Sequence, residues 1–219
     1  MAGRKHAGFK ENLEADERRR SSLFQGLTGR RGADVSGKAG TAPDMRGMLL
    51  AAYGPGTRGG VNTTAAARDL GVSRRTVERW VAAEGRQRIS KPKAETLSKL
   101  TTKSRQTATT QQGRRTAIKA VRESKQGKSI AKYGARVQIK GRQGVAGGGG
   151  FYIRNRSIQI PPDQSGMSPS DVESMWSAYE RGGDKGLSKW LSGYASDRYV
   201  DGWTFESIDN ISVDPVCPY

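Results

Sequence analysis

The sequence predicts a mainly α-helical helix-turn-helix domain, a disordered basic arm and linker, and a small α+β C-terminal module. Three observations predict it. The stretch Thr63–Trp80 (TTAAARDLGVSRRTVERW) has helical apolar spacing, a turn residue and a helix cap in consistent places. Strand-like patterns at Ala135–Lys140, Phe151–Ile160 and Trp203–Val213 alternate with helical ones toward the C-terminus. Charge divides the chain: 11 Lys/Arg against 6 Asp/Glu in residues 1–60, 23 against 5 in 61–160, and 4 against 10 in 161–219.

Residues 1–41 are rich in Gly, Arg and Ser and read as a flexible basic arm, within which Glu11–Phe24 can form a short helix. The helical domain is expected over residues 42–101. Its first helix is Pro43–Tyr53, with Met45, Met48, Leu49, Ala52 and Tyr53 on one face and Gly47 weakening it. Gly54–Asn62 is a loop. In Thr63–Leu70, three alanines (Ala65, Ala66, Ala67) keep the helix slim enough for a second one to cross it closely. Leu70 closes the apolar side, Gly71 supplies a turn position suited to positive φ, and Val72 fills the corner. Ser73 caps the next helix with its hydroxyl. Val77 and Trp80 face inward, with Val81 beside them, so Arg74, Arg75, Thr76, Glu78 and Arg79 remain on the outer side or at the N-terminal end.

That second helix has the form of one that enters a DNA major groove, with hydrogen-bonding side chains where base edges lie. An ordinary helical hairpin with a solvated basic face is the plainer alternative. The following Gly85–Lys93 breaks the helix and carries Arg86, Arg88, Lys91 and Lys93, a loop suited to gripping backbone phosphates. Pro92 opens a further helix, Ala94–Leu100.

Residues 102–134 read as a basic linker containing Arg114, Arg115, Lys119, Arg122, Lys125 and Lys128. Ile118 and Val121 give only a sparse apolar stripe, and two alternatives stay open: a solvated linker, or a helix or arm that orders on DNA. The α+β module is expected over 135–214, before a tail at 215–219. In it, Gly147–Gly150 is a flexible tetraglycine, Phe151, Ile153, Ile158 and Ile160 are core candidates, and Ser168 with Ser170 and Asp171 opens a helix that runs to about Arg181. Gly182–Gly183 separates that helix from Leu187–Tyr199. Met175, Trp176, Tyr179, Leu187, Trp190, Leu191 and Tyr194 supply a small core for the pair.

Composition narrows the function. With 34% hydrophobic and 7% aromatic residues and 29 glycines in 219, compact modules are expected rather than one continuous core. The lone Cys217 and lone His6 build neither a disulfide framework nor a zinc set, and no phosphate-binding glycine motif or acidic metal cluster stands out. No catalytic residues, metal or cofactor are therefore expected, and no enzyme. No apolar run is long enough to span a membrane and the N-terminus lacks a signal-peptide core, so the expected location is cytoplasmic, on the nucleoid. The basic block demands a polyanion, and the motif favours DNA: Ser73, Arg74, Arg75, Thr76, Arg79, Arg86, Arg88, Lys91 and Lys93 are the candidate contacts.

Gly71–Leu100 (GVSRRTVERWVAAEGRQRISKPKAETLSKL) resembles the corresponding region of the telomere-protecting terminal proteins of linear actinobacterial chromosomes and plasmids: a GVS turn, an RTVER helix, a basic run ending in Lys-Pro, then a helix. The likeness extends more weakly through the Gly-rich turn and strand at Gly147–Ile160, the helices of Ser170–Tyr199 and the strand of Trp203–Asp214. The resemblance implies a protein that binds telomeric ends, as duplex or as a single-stranded or folded end, and primes end replication through a side-chain hydroxyl that becomes joined to DNA. It implies a DNA polymerase and a telomere-associated protein as partners, with homo-oligomers also open. Tyr152 and Ser157, beside Arg154 and Arg156, and Ser165, Ser168 and Ser170 in the next loop are the primer hydroxyl candidates, and spacing selects none of them. A transcriptional regulator of a mobile element, or a replication or partition accessory protein with the acidic aromatic module as its protein-binding part, are the alternative functions.

Overall fold

A computed structural model describes residues 18–29, 45–56, 60–82, 92–147, 150–163 and 165–216. The protein is mainly helical with a small antiparallel sheet near the C-terminus. Its elements are α1 (residues 18–28), α2 (Met45–Tyr53), α3 (Thr63–Leu70), α4 (Arg74–Val81), α5 (Ala94–Thr109), α6 (Gln111–Glu123), α7 (Lys125–Tyr133), β1 (Ala135–Gly147), β2 (Gly150–Phe151), β3 (Arg154–Ile160), α8 (Pro169–Arg198) and β4 (Trp203–Pro215). They form two compact units. The first holds α2–α5; the second holds residues 22–29 and everything from Gln111 onward.

In the first unit the apolar sides of α2, α3, α4 and α5 meet around Leu49, Ala66, Leu70, Val77, Trp80 and Leu100. Local chemistry starts and stops each helix. Asn62 caps α3, its side chain accepting Ala65 N–H at 3.1 Å, and Gly71 ends α3 in the left-handed region (φ 67°). Ser73 caps α4 by accepting Thr76 N–H at 3.1 Å. A bracing cluster ties three helices together. Tyr53 Oη on α2 donates to Asp69 on α3 at 2.7 Å, and Lys103 Nζ on α5 pairs with Asp69 at 2.8 Å while lying 4.8 Å from the Tyr53 ring centroid. These two donors hold the Asp69 carboxyl below its usual pKa.

In the second unit β1 is the central strand, paired antiparallel with β4 on one side and with β2 and β3 on the other. Val137, Ile139, Ile160, Ile211 and Val213 join the core with Met175, Tyr179, Leu187 and Leu191 of α8. The opposite sheet face is polar, with Gln138, Lys140, Arg142, Ser157 and Asn210 exposed. Helix α8 is interrupted at Gly183 (φ 59°, ψ −145°), where the diglycine break was expected. An interrupted helix leaves carbonyls without helical N–H partners. Buried Arg114 of α6 answers two of them, its Nε donating to Tyr179 O at 3.0 Å and Glu180 O at 3.3 Å.

Three expectations are corrected. Residues 102–134 are not a disordered linker: they complete α5 and form α6 and α7. The reason is that the apolar stripe there is wider than it reads. Arg114 and Ala117 are buried beside Ile118, and α7 buries Gly127 and Ile130. The first unit accordingly ends at Thr110 rather than residue 101, and the second begins at Gln111 rather than 135. Residues 18–29 are not part of a flexible arm either. Leu23 and Leu27 belong to the second core, and Gly26 lies against the Ile211 carbonyl so closely that no side chain fits there. Finally, the strand expected over 151–160 is interrupted at Tyr152–Ile153. The remainder of the 1–41 arm, the loop 83–91, Gly148–Gly149 of the tetraglycine and residues 217–219 lie outside the described residues.

Candidate nucleic-acid interface

Helix α4 sorts its side chains sharply. Val77 and Trp80 are buried; Arg74, Arg75, Glu78 and Arg79 are exposed and Thr76 is half-buried. At about 100° per residue, Arg75 stands on the side opposite Val77 and Trp80, and Arg79 lies one turn farther on the same exposed side. Arg74 is held by Glu78, its Nε donating to the carboxylate at 2.8 Å. Arg75 and Arg79 make no hydrogen bond or ion pair among the described residues. Thr76 Oγ1 lies 2.8 Å from Ser73 Oγ, so both hydroxyls serve the helix start. Ser73 is thus a capping residue.

Of the expected basic loop, Lys93 is exposed at the N-terminal boundary of α5; Arg86, Arg88 and Lys91 lie outside the described residues. Reading the sequence missed the Tyr53–Asp69–Lys103 cluster, which fixes α2, α3 and α5 around α4. In the sequence Tyr53 reads only as an apolar face residue, and nothing in the spacing of three residues on separate helices betrays their meeting.

In the second unit the five hydroxyl candidates have different surroundings. Ser168 caps α8, accepting Asp171 N–H at 3.2 Å, and Ser170 Oγ lies 2.9 Å from it. Ser165 donates to Asp163 at 2.6 Å, which lowers the pKa of that carboxyl. These three serines line one groove with Arg198. Ser157 stands on β3, opposite Lys140 in register, and lies 3.2 Å from Gln138 Nε2. Tyr152 is 62% exposed in the interruption between β2 and β3, and its hydroxyl has no partner among the described residues.

Among the described residues no cluster of His, Cys, Asp or Glu could hold a metal ion, and no helix is long and apolar enough to cross a membrane. Comparison with protein-family models, with curated proteins and with solved structures found no match.

Proposed function

We propose that this chain is a DNA-binding protein in which α3 and α4 act as a helix-turn-helix and α4 reads base edges in the major groove. The observation that carries the reading is the pair Arg75 and Arg79, without a partner among the described residues and exposed on the side opposite buried Val77 and Trp80. A helix anchored by its core face presents its outer side chains in a fixed array, and a guanidinium is the group best matched to the O6 and N7 acceptors of guanine. Ser73 and the Tyr53–Asp69–Lys103 cluster support it by holding the helix start and the scaffold around it. Lys93, with Arg86, Arg88 and Lys91, supplies phosphate contacts that set position rather than sequence.

The test is Arg75→Ala on a duplex enriched from a randomised pool by the wild-type chain. Specific binding should weaken by about 1–3 kcal/mol while binding to random duplex changes little. Equal losses on both duplexes would remove the base-reading role.

A second reading, a terminal protein of a linear replicon, is favoured by one observation: of the five candidate hydroxyls, that of exposed Tyr152, two residues from Arg154, is the one without a partner among the described residues. In that chemistry the Tyr152 oxygen attacks the α-phosphorus of a nucleoside triphosphate bound by a partner polymerase. A phosphodiester to the protein forms, pyrophosphate leaves, and the phenolic proton passes to solvent. Intact mass of protein purified from its host, before and after nuclease, tests it. A nucleotide-sized adduct that Tyr152→Phe abolishes supports the reading; unmodified protein that binds duplex leaves a regulator or a replication accessory.

A further inference from the structure

We propose that the end of the second unit's sheet around Tyr152 is a docking platform for single-stranded nucleic acid, with an unpaired base stacked on the Tyr152 ring and phosphates held by Arg154 and Arg156. The proposal uses the ring and not the hydroxyl, and it stands whether or not α4 reads duplex DNA.

The backbone here is built to hold one side chain outward. β2 and β3 pair with β1 in a single register, Ala146 opposite Phe151 and Gln143 opposite Arg154, so Tyr152–Ile153 is a local interruption of one strand rather than a loop. Tyr152 is pinned on both sides of its Cα. Its N–H donates to Val145 O at 3.3 Å and its carbonyl accepts Arg156 Nη2 at 3.0 Å. Gly144 passes so close beneath the Tyr152 carbonyl that no other residue fits.

Arg156 is fixed in turn. Its guanidinium lies 5.4 Å from the Trp203 ring centroid, and its carbonyl accepts Gln143 Nε2 at 3.0 Å. The same buried Gln143 accepts Trp203 Nε1 at 3.3 Å, and Trp203 packs edge-on against Tyr199 with centroids 4.7 Å apart. A rigid underlayer of Gln143, Arg156 and Trp203 therefore supports an exposed tyrosine.

The surface chemistry selects the partner. Four large apolar side chains stand exposed among the described residues, and Tyr152, Tyr199 and Val200 are three of them. Tyr199 packs edge-on against Trp203, Trp203 is opposite Val145 in register, and the Val145 carbonyl accepts the Tyr152 N–H, so these groups mark one end of the sheet. Arg154 and Arg156 have no carboxylate partner among the described residues, whereas Arg142 on the same sheet is paired with Glu206 at 2.8 Å. A fixed aromatic face beside guanidinium groups that no carboxylate neutralises among the described residues matches a base next to its phosphates. Bases in a duplex have both faces stacked, so only an unpaired base can use the ring.

The experiment is fluorescence anisotropy of a labelled oligothymidylate with the full-length chain carrying Arg75→Ala, which reduces the contribution of α4. Adding Tyr152→Ala should weaken binding about tenfold, as loss of one base–aromatic stack does. Tyr152→Phe should bind as the parent does, since it keeps the ring and loses only the hydroxyl. Arg154→Gln should weaken binding a few-fold and flatten its salt dependence. Unchanged binding by Tyr152→Ala, equal losses for Ala and Phe, or no binding of oligothymidylate by the parent would each overturn the proposal. Duplex affinity of Tyr152→Ala with Arg75 intact should stay at the wild-type value, whereas failure of the α4 reading would appear only in the duplex binding of Arg75→Ala.

Discussion

The tripeptide Arg-Arg-Thr occurs in both α4 and α6, as Arg74–Thr76 and Arg114–Thr116, and the two copies are used in opposite ways. In α4 both arginines are exposed, one resting on Glu78 and one without a partner among the described residues. In α6 the first arginine is buried and bonded to the carbonyls at the break of α8, while the second is exposed. The difference lies in what each helix packs against. α4 meets its neighbours with Val77 and Trp80, so its arginines are excess charge available to a partner. α6 lies against an interrupted helix whose open carbonyls need donors, and a guanidinium supplies several. A basic stretch therefore says nothing about binding until its donors have been accounted for.

Substitutions can break this contrast, and the largest effect is expected inside α6. Arg114→Ala removes a buried cation and leaves the Tyr179 and Glu180 carbonyls unanswered, so urea denaturation should show a loss of about 3 kcal/mol. Arg115→Ala beside it should stay within about 0.5 kcal/mol of wild type. In α4 the pattern reverses: Arg75→Ala should leave urea stability within about 0.5 kcal/mol while costing about 1–3 kcal/mol in specific duplex binding. If Arg75→Ala destabilises and Arg114→Ala does not, the contrast is wrong.

Smaller effects sharpen the α4 side. Ser73→Ala removes the cap of α4 and should cost about 1 kcal/mol of stability in the first unit, followed by thermal unfolding of a fragment spanning residues 30–110. The smallest effect concerns pH. The folded-state pKa of Asp69 lies below its ordinary value near 3.8, so its contribution is present above that value and is lost as pH falls through the folded pKa. Asp69 and Lys103 are both partly exposed, which keeps the contribution under about 1 kcal/mol. Asp69→Asn should flatten the acid limb of fragment stability below about pH 4 and leave stability above it reduced by that small amount.

How far the sequence could be read followed the range of the interactions involved. The α3–turn–α4 segment, the start of α8 at Ser168 and its break at Gly183 were legible because each depends on contacts within a few residues: a cap hydroxyl, a glycine at positive φ, an apolar pair at helical spacing. The strands of the second unit were legible from alternation, apart from the interruption at Tyr152, which depends on Arg156 and Gly144 meeting that backbone. Of the candidate site, the outward arginines of α4 could be read from the positions of Val77 and Trp80; the hydrogen bonds that engage the four serines and leave the Tyr152 hydroxyl without a partner among the described residues could not.

The sequence by itself determined the caps of α4 and α8, the turn at Gly71, the break at Gly183 and the outward placement of Arg75 and Arg79, because caps and periodicity act over one or two turns. Only the tertiary structure decided that residues 102–134 fold, that residues 22–29 enter the second core, that Arg114 turns inward and that Tyr53, Asp69 and Lys103 meet. Each of those outcomes depends on a partner distant in sequence, and whether a polar or weakly apolar side chain is buried is set by the group waiting for it.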